Sequence, residues 1–250
     1  MELGSDPRLV VVINSQLRQP NSYKKARVKL MEISPGVKML YLDYQGAIVH
    51  PILVWDEDMA ILIDTGFPGQ FEELRAEIEK AGVSFDQLRG VILTHQDVDH
   101  IGSLPEILQE RGNAVTVCAH ELDQPYIQGK RPLLKDGQLE NPPKGRVDMT
   151  LMDGQEMPWC GGIQVIHTPG HTPGHISLYL KNSKLLVAGD SMYSINGVIQ
   201  GIHPPTTPDM EAARLSLHKY KELDLQSVVC YHGGLSHAHV HDQIVKLCEE

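Results

Sequence analysis

An αββα sandwich, two facing mixed β-sheets with helices outside, is the fold class this sequence predicts. Two β-rich blocks lie along the chain, and each is followed by strand–helix units. Several apolar runs also end in His or Asp, as strands do when their ends line one edge of a sheet. Periodicity alone leaves an ordinary doubly wound sheet open as the alternative.

The elements follow in order. Lys38–Asp43 and Ile48–Trp55 read as strands, and Asp56-Glu57-Asp58 turns the chain into a further strand, Met59–Ile63, of a hairpin. That strand ends in Asp64-Thr65-Gly66. Residues 69–81 place Phe71, Leu74, Ile78 and Ala81 at gaps of three and four, the pattern of an amphipathic helix. A strand at 90–94 precedes a helix at 103–109, and Ala114–Ala119 is another buried strand. Residues 121–147 are weakly periodic and rich in Pro, Gly and Lys. They predict a long loop or insertion of the kind that covers a site, with Tyr126, Lys130 and Arg131 as candidate contacts. Residues 196–208 are a candidate second wall. Strand and turn signals resume over 148–190. A helix spans 209–222, with Asp209 as its N-cap. Val228–Tyr231 is the last strand and 238–248 the last helix. No linker or repeat divides residues 1–250, so one domain is expected.

Composition narrows the function. A formal charge of −10 argues against a nucleic-acid partner, and 41% hydrophobic residues are enough for a sizeable core. No stretch is apolar enough to span a membrane. Residues 1–7 lack the basic-then-apolar pattern of a signal peptide, so a cytoplasmic protein is expected. Cys118, Cys160, Cys230 and Cys248 are not in CxxC spacing and are expected as free thiols, Cys118 and Cys230 in the core. A small-molecule substrate is the expected partner. A homodimer is compatible with the sequence, which carries no visible sign of oligomeric state.

The chemistry concentrates at strand ends. After Gly90-Val91-Ile92-Leu93 comes Thr94-His95-Gln96-Asp97-Val98-Asp99-His100. Alone, that cluster also suits a solvated polar turn. His171, within His167-Thr168-Pro169-Gly170-His171-Thr172-Pro173-Gly174-His175, follows Ile163–Ile166. Asp190 follows Leu185–Gly189, and His232 follows Val228–Tyr231. One rule places them all, a strand and then a metal-type side chain. His95, Asp97, Asp99, His100, His171, Asp190 and His232 are enough donors for two divalent ions sharing one carboxylate. Nitrogen and oxygen donors without thiolate suit Zn, Fe, Mn or Co.

These residues resemble the metallo-β-lactamase superfamily, from about residue 38 to the end. Asp64-Thr65-Gly66 is similar to its early Asp-x-Gly turn, and residues 94–102 to its Thr-His-x-His-x-Asp-His-x-Gly signature. His171, Asp190 and His232 stand in its later motifs. The resemblance implies one site of His95, Asp97 and His171 and a second of Asp99, His100 and His232, bridged by Asp190. It implies that Asp64 orients ligand histidines and that His175 is a supporting residue; His167 is expected to be packed or hydrogen-bonded. Two divalent ions are then expected, zinc first, with iron or manganese as alternatives. The implied activity is hydrolysis, in which a metal-bound hydroxide attacks an ester, lactone or related carbonyl. Asp99 would handle the proton, and Tyr193 would hydrogen-bond the substrate carbonyl as in similar lactonases. A glyoxalase-II-like thioesterase and a β-lactam hydrolase are the hydrolytic alternatives. One position departs from the pattern: Asp97 stands where the family usually has His. A carboxylate there makes the first site harder, or leaves it poorly occupied. It also keeps open a single-domain di-iron oxygen-binding or redox protein.

Overall fold

The computed structural model describes residues 32–249. The signal-peptide reading at residues 1–7, and the part of the β-rich opening before residue 32, lie outside the described residues. The seven-stranded sheet runs β1 (Glu32–Ser34), β2 (Val37–Met39), β5 (Ile52–Trp55), β6 (Ala60–Ile63), β7 (Leu88–Ile92), β8 (Thr116–His120), β9 (Met149–Leu151). The six-stranded sheet runs β10 (Glu156–Met157), β11 (Ile163–His167), β12 (Ile176–Leu180), β13 (Leu185–Gly189), β16 (Ser227–Cys230), β17 (Gly234–Ser236). Two hairpins stand apart: β3 (Leu42–Tyr44) with β4 (Ala47–Val49), and β14 (Tyr193–Ile195) with β15 (Val198–Gly201).

Strand alternation builds the layers, because successive side chains point to opposite faces. Along β6, Ala60 and Leu62 face the helices α1 (Phe71–Glu79) and α3 (Leu104–Arg111), while Ile61 and Ile63 face the other sheet. On β13, Leu185 and Val187 meet them across the gap. Leu186 and Ala188 turn outward to α5 (Met210–His218) and α6 (Val240–Leu247). Three apolar layers result: helix against sheet, sheet against sheet, sheet against helix. This is the expected αββα sandwich with both sheets mixed. Cys118 lies in the central layer and Cys230 in the outer one, and all four thiols are free.

The strand bounds differ from the sequence pattern where Pro intervenes. The run 48–55 breaks at His50-Pro51, since Pro has no N–H for the ladder. Pro51 instead accepts the Leu40 N–H at 2.8 Å. The run 38–43 splits in step, its second half turning back on β4 through Gln45 and Gly46, both at positive φ (54° and 94°). That pair is the geometry of a tight hairpin turn. The helix expected at 209–222 is α-helical only to His218 and then tightens into a 3₁₀ turn over Lys219–Glu222; Asp209 caps it by accepting the Ala212 N–H at 2.9 Å. Among the described residues, no helix is long and apolar enough to cross a membrane.

Topology gathers the site. β6 and β7 are parallel, as are β13 and β16, and β11 runs the same way as β13 because both are antiparallel to β12. Their C-terminal ends therefore open on one edge. Two backbone bonds tie the sheets there: Ile176 N–H to Thr94 O at 2.9 Å, and His50 N–H to Tyr231 O at 3.1 Å.

His50 is buried, with its Nδ1 3.0 Å from Leu40 O. Burial lowers its pKa from 6.5 to about 4. The folded state therefore favours neutral imidazole. Its contribution is complete above pH 6.5 and is lost as pH falls toward 4, because the unfolded chain protonates first. Chemical denaturation of wild type and His50→Gln, at fixed metal content, should show wild type losing up to about 3 kcal/mol relative to the variant between pH 7 and pH 4. A constant difference across that range would contradict this account.

Candidate metal centre

Asp64 begins the construction. It leaves β6 in the left-handed region, at φ 61°, which aims its carboxylate back under the next strand end. Oδ1 accepts the Thr94 N–H and Oδ2 the Thr94 hydroxyl, each at 2.8 Å; Oδ2 also lies 2.9 Å from His100 Nδ1. Having donated to Asp64, the Thr94 hydroxyl can accept from His95 Nδ1, 3.1 Å away. These contacts hold both rings by Nδ1 and turn each Nε2 toward the cleft.

The short helix α2 (Val98–Ile101) then turns against the Asp64 corner. Thr65 N–H bonds His100 O at 2.8 Å, and Gly102 N–H bonds Gly66 O at 2.9 Å. A Cβ at Gly102 would lie 2.2 Å from the Phe67 carbonyl carbon, so only glycine permits this approach.

All seven candidate ligands meet at this edge. Three sets hold ligand atoms within 4.8 Å of one another: His95, Asp97, His171; Asp99, His100, His232; and His95, His100, Asp190. In the first, Asp97 Oδ2 lies 3.3 Å from His95 Nε2 and 3.0 Å from His171 Nε2. In the second, Asp99 Oδ2 lies 3.3 Å from His232 Nε2 and 3.7 Å from His100 Nε2. Asp190 reaches both, at 3.3 Å from His171, 3.4 Å from His100 and 3.3 Å from His232.

The supporting residues expected from sequence are also in place. His175 is fully buried; its Nε2 accepts the Asp190 N–H at 2.9 Å and its Nδ1 meets the Thr168 hydroxyl at 2.8 Å. Gly189, at φ 56°, keeps that approach open, because a Cβ there would stand 2.6 Å from His175 Nε2. His167 stacks on His120 at 4.0 Å, and its Nε2 lies 2.9 Å from Pro173 O. Tyr193 sits on β14, its ring edge-on to His203 at 5.5 Å.

Charge is concentrated here in opposed pairs. Burial works to raise the Asp97 and Asp190 carboxyls, but Lys135 and His95 at the first, and His232, His100 and His171 at the second, hold both well below the usual range. Asp99 is lowered in the same manner, against its burial, by His100 and His232. Burial works to lower His232, but Asp190 and Asp99 lift it to about 10. Several buried donor atoms nevertheless lack a hydrogen-bond partner, among them His95 Nε2, His100 Nε2, Asp97 Oδ1 and Asp190 Oδ1. Unpaired lone pairs at this density are costly unless a cation satisfies them. The residues therefore fit divalent ions, by donor type and by the lone pairs left open.

Three contributors escaped the sequence pattern. Asp123, fully buried, accepts the Gln96 N–H at 3.0 Å, the Thr172 hydroxyl at 2.7 Å and the Gly174 N–H at 2.9 Å, joining the segments that carry Asp97 and His171. Tyr231 donates its hydroxyl to Asp99 O at 2.6 Å and lays its ring 3.8 Å from that of His100. Lys135 places Nζ 2.5 Å from Asp97 Oδ2 and 2.6 Å from His171 Nε2. Of the contacts expected from 121–147, Arg131 instead packs over Tyr126 at 5.9 Å, Tyr126 packs on the first core layer, and Lys130 is exposed. That tract includes a short helix, α4 (Gln124–Ile127), so it is not all loop.

The family model described as "Metallo-beta-lactamase superfamily" matches residues 45–232, from the turn before β4 through His232. The chain belongs to the metallo-beta-lactamase superfamily. It is 33% identical over 199 residues to "Probable metallo-hydrolase YflN" of Bacillus subtilis, covering 69% of this chain and 75% of that protein. It is 32% identical over 143 residues to a hydroxyacylglutathione hydrolase of Buchnera aphidicola, covering 57% of this chain but 46% of that protein. Among solved structures, the superfamily fold recurs in a metallo-beta-lactamase from Pontibacter korlensis, with a TM-score of 0.67 at 22% identity, covering 89% of this chain and 99% of that one. At that identity the likeness is one of fold.

Asp123 tests the frame directly. Asp123→Ala strands several buried donors at once and should cost about 2–4 kcal/mol in chemical denaturation. An unchanged midpoint would show that the two ligand segments hold their positions without it.

Proposed function

We propose that this metallo-hydrolase cleaves a small-molecule ester or lactone at a two-metal centre. The reading is carried by Asp190, whose carboxylate reaches His171 on one side and His100 and His232 on the other. Such a carboxylate suits two ions that share a ligand. His95, Asp97 and His171 would hold one ion, and Asp99, His100 and His232 the other, with zinc the first expectation and manganese or iron suited by the carboxylate at 97. Bound there, divalent ions supply Lewis acidity toward the carbonyl oxygen and make water nucleophilic at neutral pH.

The chain's own residues supply orientation and proton transfer. Asp64 and Thr94 hold the His95 and His100 rings by their Nδ1 atoms. Asp99, kept ionised by His100 and His232, accepts the proton of the attacking water and returns it to the leaving alkoxide as the carbonyl–oxygen bond breaks. Tyr193, on β14, donates its hydroxyl to the substrate carbonyl.

A thioester is the second reading, favoured by the match to the hydroxyacylglutathione hydrolase. The carboxylate at 97 favours a third, an iron-holding redox protein. A screen over lactones, thioesters and phosphodiesters, with metal analysis of the purified protein, separates them. The ester reading expects zinc or manganese with lactone or ester turnover. Two irons with a visible band under oxygen, and no hydrolysis, would overturn it.

Within that reading, Asp99→Asn should lower kcat at least about a hundredfold. Tyr193→Phe should lower kcat/KM about tenfold, the loss of one hydrogen bond to the substrate. Wild-type rates in both variants, at equal metal content, would remove these roles.

A further inference from the structure

The first cluster differs from the second in one respect. A cation from outside the set of candidate ligands already stands in it. Lys135 Nζ lies 2.5 Å from Asp97 Oδ2 and 2.6 Å from His171 Nε2, two atoms that are 3.0 Å from each other. Those are the lone pairs a metal would take. Metal–ligand bonds to such atoms are about 2.0–2.2 Å, so an ion and this ammonium cannot use them together. At the second cluster the carboxylates face the candidate ligands themselves, with no outside side chain recorded between them: His232 Nε2 lies 3.3 Å from both Asp99 and Asp190.

The lysine is delivered by a held turn. Leu134 N–H donates to Gln96 Oε1 at 2.9 Å. Gln96 stands between His95 and Asp97, and its own N–H and side-chain amide donate to Asp123 at 3.0 and 3.3 Å. The segment bearing Lys135 is thus fastened to the segment bearing the ligands. The Lys135 side chain is only 18% exposed. Asp97 also joins this pairing by type. A carboxylate attracts an ammonium by its charge, where a neutral imidazole offers only a lone pair.

We propose that Lys135 is a built-in cation at the first metal position, so that the chain binds one ion tightly at Asp99, His100 and His232, and a second at His95, Asp97 and His171 only by displacing Lys135. The proposal rests on the reading of this centre as a metal site. It makes the two positions unequal by design. Whether the enzyme carries one ion or two then depends on metal supply, and the lysine, once displaced, is freed beside the cleft.

Zinc titration of the metal-free full chain, by calorimetry and equilibrium dialysis, tests this. Wild type should bind one ion tightly and a second at least about tenfold more weakly. Lys135→Ala and Lys135→Met should tighten the second about tenfold or more and leave the first unchanged; Met keeps the apolar stem, and circular dichroism confirms folding. His232→Ala should abolish the tight event. Two equal sites in wild type, or a second site unchanged or weakened in both lysine variants, would overturn the proposal while leaving the metal centre standing. Binding of no ion by wild type or by either variant would overturn both.

Discussion

His95, His100, Asp97 and Asp190 turn unpaired lone pairs toward the same few ångströms of buried space, and much of the molecule is arranged to hold them there. Carboxylates and imidazoles so placed are unfavourable by themselves, because water is excluded and the partners they have are each other. Local structure around them works against relaxation. Asp64 is held in the left-handed region, Gly102 admits a close backbone approach, and Gly189 makes room for His175. Strain and desolvation are concentrated at one edge, and the three apolar layers behind it supply the stability that permits this.

The two sheets play different parts. The seven-stranded sheet contributes the Asp64 corner and the 95–100 segment, already oriented through Thr94. The six-stranded sheet contributes His171, Asp190 and His232 from three strand ends. Ligands of either cluster therefore come from both sheets, and the site exists only when the sandwich is closed. Asp123, from the segment after β8, accepts from Gln96 on one side and from Thr172 and Gly174 on the other. It couples the halves of the first cluster as the bond from Ile176 to Thr94 couples the sheets.

Much of this was legible in the sequence, and for a physical reason. Apolar runs ending in His or Asp mark strands whose ends line a site, so all seven converging residues could be named from local pattern. The order of the elements, two β-rich blocks each followed by strand–helix units, likewise pointed to the layers. What escaped was tertiary. Pro51 divided a run that reads as one strand. Asp123 and Tyr231 look like a loop acid and a strand aromatic until their partners, far away in sequence, are in view. Lys135 lies in the least periodic tract of the chain, and no spacing distinguishes it from Lys130 or Arg131. The bond from Leu134 to Gln96, with the contacts of Lys135 to Asp97 and His171, shows which cation enters the cleft.

The central claim is that a cation resolves this cluster, most strongly at Asp99, His100 and His232. Anomalous diffraction from crystals grown with limiting zinc measures it most directly. The account predicts a peak about 2.0–2.2 Å from the ligand atoms of those three residues, beside Asp190. Zinc-containing crystals with no peak there, or with the principal peak among His95, Asp97 and His171, would contradict it.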